Sequence, residues 1–374
     1  GISYGLRNGL HVNASNPASY SAVDSLTFIF DAGLSLQNAN FQEKGVKTNA
    51  KNSTIDYIAM QFRLWERMGM TLGFLPYSTV GYNMSQTKTV SSDEYGNQIS
   101  SLSTYSGDGG LQQVFAGLGF KVFKNLSIGA NFSYFYGEIN HSVKTIFNNT
   151  NANSSVRADK IEISDYKLDL GMQYTQPFGK KHTVNLGLVY SLGHDLNGKG
   201  YNFKETYASG VSYPMTQTVD TIKNAFSLPH TLGIGATYVY DRRLTVGVDY
   251  TLQKWEDVEF FNEKGKFLNR TKISFGAEYL PNPISRNYLS RIRYRAGAYY
   301  SDPYTKVNGK ESAREYGVSL GFGLPIFRSK SILNISGQYL KISPKVKGML
   351  EENYLRINLS LTFNERWFMK WKVD

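Results

Sequence analysis

Cysteine is missing from this 374-residue chain, which excludes both a disulfide framework and a thiolate metal site. No apolar run approaches the roughly 18 residues of a membrane helix, and the mean hydropathy is -0.36. A membrane strand stays open all the same, because a strand spans with about 10 residues and turns half of them to a lumen. No linker rich in Pro, Ser or charge divides the chain, so it reads as one unit. The five histidines contain no HExxH and no pair at helical ligand spacing, so neither a metal nor a cofactor is expected. There is no GxSxG elbow, and Ser142 beside His141 would point away from it, so no enzyme is expected.

The formal charge is +11, from 41 Lys and Arg against 30 Asp and Glu. These charges are dispersed and no helix-turn-helix, zinc-finger or RNA-binding signature occurs, so nucleic acid is not an expected partner. Gly1 stands where an initiator Met would, with no charged and apolar leader after it. A processed or trimmed chain is the expectation from that start.

Aromatic residues are what the chain has in excess, with 27 Tyr and 22 Phe. So much Tyr suits the girdles of a membrane barrel, where the ring sits in lipid and the hydroxyl reaches water. The pattern is plainest in the last strand, Tyr354 to Phe363, where Leu355, Ile357, Leu359, Leu361 and Phe363 alternate with Arg356, Asn358, Ser360 and Thr362. A period of two sends the two sets to opposite faces. Strands of the same kind are expected over 24–38, 53–65, 70–84, 110–123, 125–140, 156–176, 182–203, 230–240, 244–257, 269–280, 288–301, 312–324 and 331–342.

This makes about 14 strands, an even number of the kind outer-membrane barrels use. Every odd connection is long or polar, as at 85–109, 141–155 and 204–227, and every even one is a short turn. Long outer loops and short periplasmic turns are the habit of such barrels, and a soluble sandwich has no reason to keep that parity. The sequence therefore predicts an all-β, transmembrane antiparallel β-barrel in a bacterial outer membrane, touching lipid and lipopolysaccharide, with both termini periplasmic. Residues 1–23 precede the barrel and residues 24–374 form it.

Charges in the polar phase, namely Asp31, Arg63, Asp165, Lys167, Asp169, Asp249, Glu278, Arg293, Arg295 and Glu315, are expected to converge on the lumen. They could line an ion-selective path or a binding site. The weightier expectation is a network of paired charges filling a narrow barrel, since buried charges of both signs pair. Pro76 falls within the third strand, where a proline removes a ladder bond and marks a bulge or break. It reads either as a harmless shape-setting bulge or as a side opening.

Asn16-Pro17-Ala18 just before strand one, the strand count and the interruption at Pro76 together resemble the FadL family of outer-membrane transporters for long-chain fatty acids and other hydrophobic compounds. The resemblance implies a hatch carrying Asn16, Pro17 and Ala18 that plugs the lumen, and a lateral opening at Pro76 and Tyr77. It implies passive uptake of a hydrophobic small molecule, with no cofactor. The family's hatch is longer than the 23 residues here, so part of a hatch is expected to be missing. Barrels of this kind also serve as non-transporting accessory subunits of outer-membrane protein assembly or secretion complexes. Another barrel and surface lipoproteins would be the partners of that second reading.

Overall fold

The computed structural model describes the chain apart from residues 44, 93–95, 97, 150, 210, 212, 262, 308, 327–328, 346–348 and 367–374. A 3₁₀ helix, Pro17–Ala22, precedes β1 (Thr27–Glu43), β2 (Val46–Trp65), β3 (Met68–Ser92), β4 (Gln98–Lys121), β5 (Leu126–Phe147), β6 (Ser154–Phe178) and β7 (His182–Ser191). An extra hairpin follows, β8 (Gly198–Tyr207) and β9 (Thr216–Lys223). The wall resumes with β10 (Thr231–Tyr240), β11 (Leu244–Gln253), β12 (Arg270–Tyr279) and β13 (Arg293–Ser301). After a two-residue pair, β14 (Lys306–Val307) and β15 (Lys310–Glu311), it ends with β16 (Ala313–Pro325), β17 (Ile332–Pro344) and β18 (Glu351–Arg366).

Each wall strand pairs antiparallel with its neighbours, β1 with β18 and β5 with β6, so the 14 strands close on themselves. Closure is what the alternation needs, because a membrane leaves no place for an unpaired edge. Leu34, Leu36, Leu355, Ile357, Leu361 and Phe363 are exposed on the outside of the β1–β18 seam, as the pattern predicts. Many inward positions are small or polar, among them Ser35, Gln61, Thr71, Asn131, Gln173, Asn185, Thr237 and Ser274, all buried.

Two of the expected long connections are not loops. Residues 85–92 continue β3 and residues 98–109 belong to β4, and residues 141–155 largely continue β5 and β6. The expected seventh strand over 182–203 also divides, since β7 stops at Ser191 and β8 leaves it to pair with the upper part of β6. The reason is solvent. Above the lipid neither sheet face has to be apolar, so the alternation that marks a membrane strand fades while the ladder carries on. The resulting sheet, β3-β4-β5-β6-β8-β9, projects from the long-loop end of the barrel.

Candidate functional site: a plugged lumen and a parted wall

The N-terminal segment lies inside the barrel, and glycine makes the room for it. Gly117 and Gly119 on β4, Gly129 on β5 and Gly171 on β6 face Asn16 to Ser21, and a Cβ at any of them would collide with that stretch or with a side chain packed on it. Gly187 on β7 and Gly235 on β10 face Tyr4 and Gly5, while Gly247 and Gly276 face Ile2. Several are direct cross-strand partners, Gly119 with Gly129, Gly129 with Gly171, and Gly187 with Gly235. They form a track of bare backbone across seven consecutive strands.

Polar side chains then tie the segment down. Asn16 is fully buried; its Oδ1 accepts from the Ala18 amide and its Nδ2 donates to the Tyr4 carbonyl at 2.8 Å. Pro17 fits the first helical position, where no N–H is required. Gln173 donates to the carbonyls of Tyr4 and Leu6, Thr237 to that of Gly5, and Asn131 to that of Ala14. Tyr20 donates to Asn131 at 3.0 Å. Arg7 donates to the Ala18 carbonyl, to Gln173 and to Ser21, with its pKa drawn down to about 10 by burial. Asn16, Pro17 and Ala18, expected as hatch residues, thus lie buried and anchored inside the barrel.

The expected luminal charges divide into separate small groups. Asp249 accepts from the amides of Ser3, at 2.5 Å, and Tyr4, at 3.0 Å, so it holds the plug. Glu278 receives Arg293 at 2.6 Å and Arg295 at 2.7 Å, and Arg295 also reaches Asn334. Glu315 receives Arg270 at 3.1 Å and the Tyr299 hydroxyl at 2.7 Å. Asp31 receives the Tyr57 hydroxyl at 3.0 Å. Lys167 pairs with Asp169, which also accepts from Ser191, and Asp165 accepts from the Asn197 amide beside His194. Arg63 stands apart, capping the carbonyls of Trp65 and Glu66 in the β2–β3 turn.

A cavity of about 850 Å³ remains between the plug and the barrel wall, lined by charged residues including Arg7, His11, Asp31, Glu278, Arg293 and Arg295 and by apolar ones including Leu6, Leu280 and Ile335. His11 Nδ1 lies 3.1 Å from Thr362 Oγ1, and its Nε2 is enclosed without a partner. Burial, then the guanidiniums of Arg295 and Arg293, push its pKa down to about 3, with Glu278 opposing. Because the seated value lies below the ordinary 6.5, seating is favoured above pH 6.5 and weakens as pH falls toward 3, by at most about 1.4 kcal/mol per unit. Amide exchange in residues 5–12 should accelerate from pH 7.5 to pH 5, after correction for intrinsic rates, and His11→Asn should remove that dependence. Equal protection at both pH values in the parent protein would refute the linkage.

Pro76 does not interrupt β3, which runs unbroken to Ser92. Two other things happen there. The β3–β4 register slips between Pro76 and Ser78, leaving Tyr77 as the extra residue of a bulge. Pairing with β2 also ends at the Ile58–Phe74 rung, so residues 46–57 of β2 pair only with β1 and residues 75–92 of β3 only with β4. Above that rung the wall is parted. Outward apolar residues on β2 continue past it to Ile55, which is exposed beside Leu34, so the parting begins within the apolar stretch.

Tyr77 turns inward beside the parting, its ring 4.9 Å from that of Phe135 and at 82° to it. Phe135, Leu111, Ile161, Ile163, Leu196 and Leu228 form a buried apolar cluster on the inner face of β4–β6, covered by Phe226, Phe260 and Phe261 from the long-loop end. Trp255, Phe267 and Tyr304 extend this cap. The sequence reading missed both the glycine track and the cap. Glycines recurring in the polar phase were the signal for the first, whereas the second gathers residues far apart in the chain with no local pattern. Among the described residues no group of three or more His, Asp or Glu side chains is placed to hold a metal.

A closed 14-strand barrel with an oily outside and an N-terminal segment packed inside has the fold of FadL-like outer-membrane barrels. Solved structures bear out the fold. The "CymD monoaromatic hydrocarbon channel" superposes with a TM-score of 0.61 at 13% identity, over 95% of this chain and 92% of that one. The P. putida toluene transporter TodX gives 0.62 at 14% identity, over 95% and 94%. The Ralstonia pickettii toluene transporter TbuX gives 0.62 at 13%, over 98% and 97%. No curated protein matches the chain. Residues 1–374 match the BamG family from end to end, and the chain belongs to that family.

Proposed function

We propose that this barrel takes up hydrophobic molecules through its wall rather than along its axis. The observation that carries the reading is the parting of β2 from β3 above Ile58 and Phe74, beside a luminal apolar cluster that begins at Tyr77. A molecule arriving from the long-loop end, taken as the cell exterior, would exchange contacts with the Phe226, Phe260 and Phe261 cap and leave sideways into the bilayer. The axial route is occupied by the plug, and each methylene kept in water there would forfeit about 0.8 kcal/mol. No energy source is required. The CymD, TodX and TbuX structures are described as hydrocarbon channels or toluene transporters, in keeping with a ligand of that class.

Pro76→Val with Tyr77 deleted removes the bulge and should let β3 rejoin β2. Uptake of a labelled long-chain fatty acid or toluene by cells should then fall to the level of cells lacking the barrel, with the heat-modifiable folded band retained. Uptake at the parent rate would rule out passage through the wall.

The filled lumen favours a second reading, in which the chain is a non-transporting accessory subunit of an outer-membrane protein assembly or secretion complex. The sheet β3-β4-β5-β6-β8-β9 would then dock surface lipoproteins or another barrel. Gentle extraction of the untagged protein and mass spectrometry of its companions separates the two. A lone barrel with a bound amphiphile speaks for uptake, and stoichiometric co-purification with another barrel and lipoproteins speaks for the accessory role.

A further inference from the structure

The short-turn end of the barrel carries one arrangement repeated around its whole circumference. The β2–β3 turn has Arg67 beside exposed Trp65, the β4–β5 turn has Lys124 beside exposed Phe123, and the β6–β7 turn has Lys180 and Lys181 beside exposed Phe178. The β10–β11 turn has Arg242 and Arg243 beside exposed Tyr240, and the β12–β13 turn has Arg286 between Ile284 and Leu289, which are 90% and 62% exposed. The β16–β17 turn has Lys330 after exposed Ile326. Thus each of the six turns of this end pairs a cation with an apolar side chain pointing out into the medium.

Two of these cations have a carboxylate partner, Arg243 with Asp241 and Lys330 with Asp24. Among the described residues, Arg67, Lys124, Lys180, Lys181, Arg242 and Arg286 have none. Cations without a carboxylate partner among the described residues also occur at the other end, Lys88 and Lys144 among them, so what distinguishes the turns is that each of the six sets a cation beside an exposed apolar neighbour.

We propose that this rim binds anionic phospholipid headgroups of the periplasmic leaflet, the apolar member of each pair entering the acyl region and the cation meeting the phosphate. The inference rests on the short-turn end facing the periplasm, as the proposed function takes it to do. A ring fits a surface that surrounds the barrel. A docked protein would call for its contacts on one side, whereas here every sector carries a cation next to an apolar side chain, although Arg243 and Lys330 also meet a carboxylate. A cationic head above a buried aromatic or aliphatic anchor is also the pairing that membrane interfaces select, and basic residues there favour anionic lipid.

The test uses the full chain extracted from vesicles of equimolar phosphatidylglycerol and phosphatidylcholine, with retained lipids counted by native mass spectrometry. Phosphatidylglycerol should be enriched several-fold over its share of the vesicle. Replacing Lys124, Lys180, Lys181, Arg242 and Arg286 together by Gln should return the ratio to that of the vesicle. The same number of Lys→Gln changes at the other end, at Lys88, Lys144, Lys199, Lys204 and Lys223, should leave it enriched. No enrichment in the parent, enrichment surviving the turn variant, or equal loss in both variants would overturn the proposal. Displacement by inorganic phosphate at an ionic strength where sodium chloride leaves the enrichment intact would mean binding of free phosphate and would overturn it too.

Should the turn variant fail to give a heat-modifiable band, the parent protein in 0.5 M salt should lose its enrichment, and retention there would refute the electrostatic pairing. Orientation is scored separately. The chain has no cysteine, so Thr218→Cys should be labelled by an impermeant maleimide in intact cells and Lys124→Cys only after lysis. The reverse result would fell the orientation whatever the lipid data show.

Discussion

Valine in place of Gly187 is expected to unseat the N-terminal segment and open the lumen. Any Cβ at this position runs into the backbone of Tyr4 and Gly5, and backbone cannot swing aside as a side chain does. The Tyr4 carbonyl is also held by Asn16 and Gln173, so displacing it breaks those bonds as well. Overpacking alone costs about 1–3 kcal/mol, and each hydrogen bond lost leaves a polar group stranded at about 1–3 kcal/mol. The sum exceeds what a segment of this length holds in reserve. In planar bilayers the Gly187→Val barrel should conduct ions steadily, and protease should cut within residues 1–23. Gly337 has nothing near its would-be Cβ, so Gly337→Ala should behave as the parent. A tight, protease-resistant Gly187→Val barrel would show that the plug is held in some other way.

Removing the carboxylate shared by two arginines should cost more than removing either arginine. Glu278 accepts from Arg293 and Arg295, whose side chains are 14% and 30% exposed. Glu278→Ala leaves both cations facing His11 with no anion between them. Breaking a fully buried pair costs about 3–5 kcal/mol. The cavity beside this group lets water in, so about 2–3 kcal/mol is the expected loss. Arg293→Ala keeps the Glu278–Arg295 bond and should cost about half as much. Unfolding followed by heat-modifiable mobility should show that order. Unchanged melting of both variants together with altered ion conductance would make these charges part of an ion path.

Much of the barrel was legible because lipid enforces a strict code. A strand in contact with hydrocarbon must alternate, and Leu355 to Phe363 does so without exception, as do Ile58, Met60 and Leu64 on β2. Where lipid ends, so does the code. Residues 85–109 and 141–155 read as loops because Ser, Thr, Asn and Gly on both faces look like loop composition, yet the ladder begun in the membrane carries β3 to Ser92 and starts β4 at Gln98. Pro76 was legible as a disturbance. That it bulges against β4 while β2 leaves altogether depended on which neighbour each residue meets.

The luminal site divides in the same way. Asn16, Pro17 and Ala18 stood out as a motif, and the charged positions were singled out by phase. Their partners did not. Glu278 meets Arg293 and Arg295 because β12 lies beside β13, but Asp249 meets the amides of Ser3 and Tyr4 across almost 250 positions of chain. Alternation along the strands marks the chain as a membrane barrel from sequence alone, because it reports a local demand of lipid and of the backbone. Which glycines make the plug's bed, which charges pair, and where the wall parts are decided only when the ring closes, because they depend on residues brought together from opposite ends of the chain.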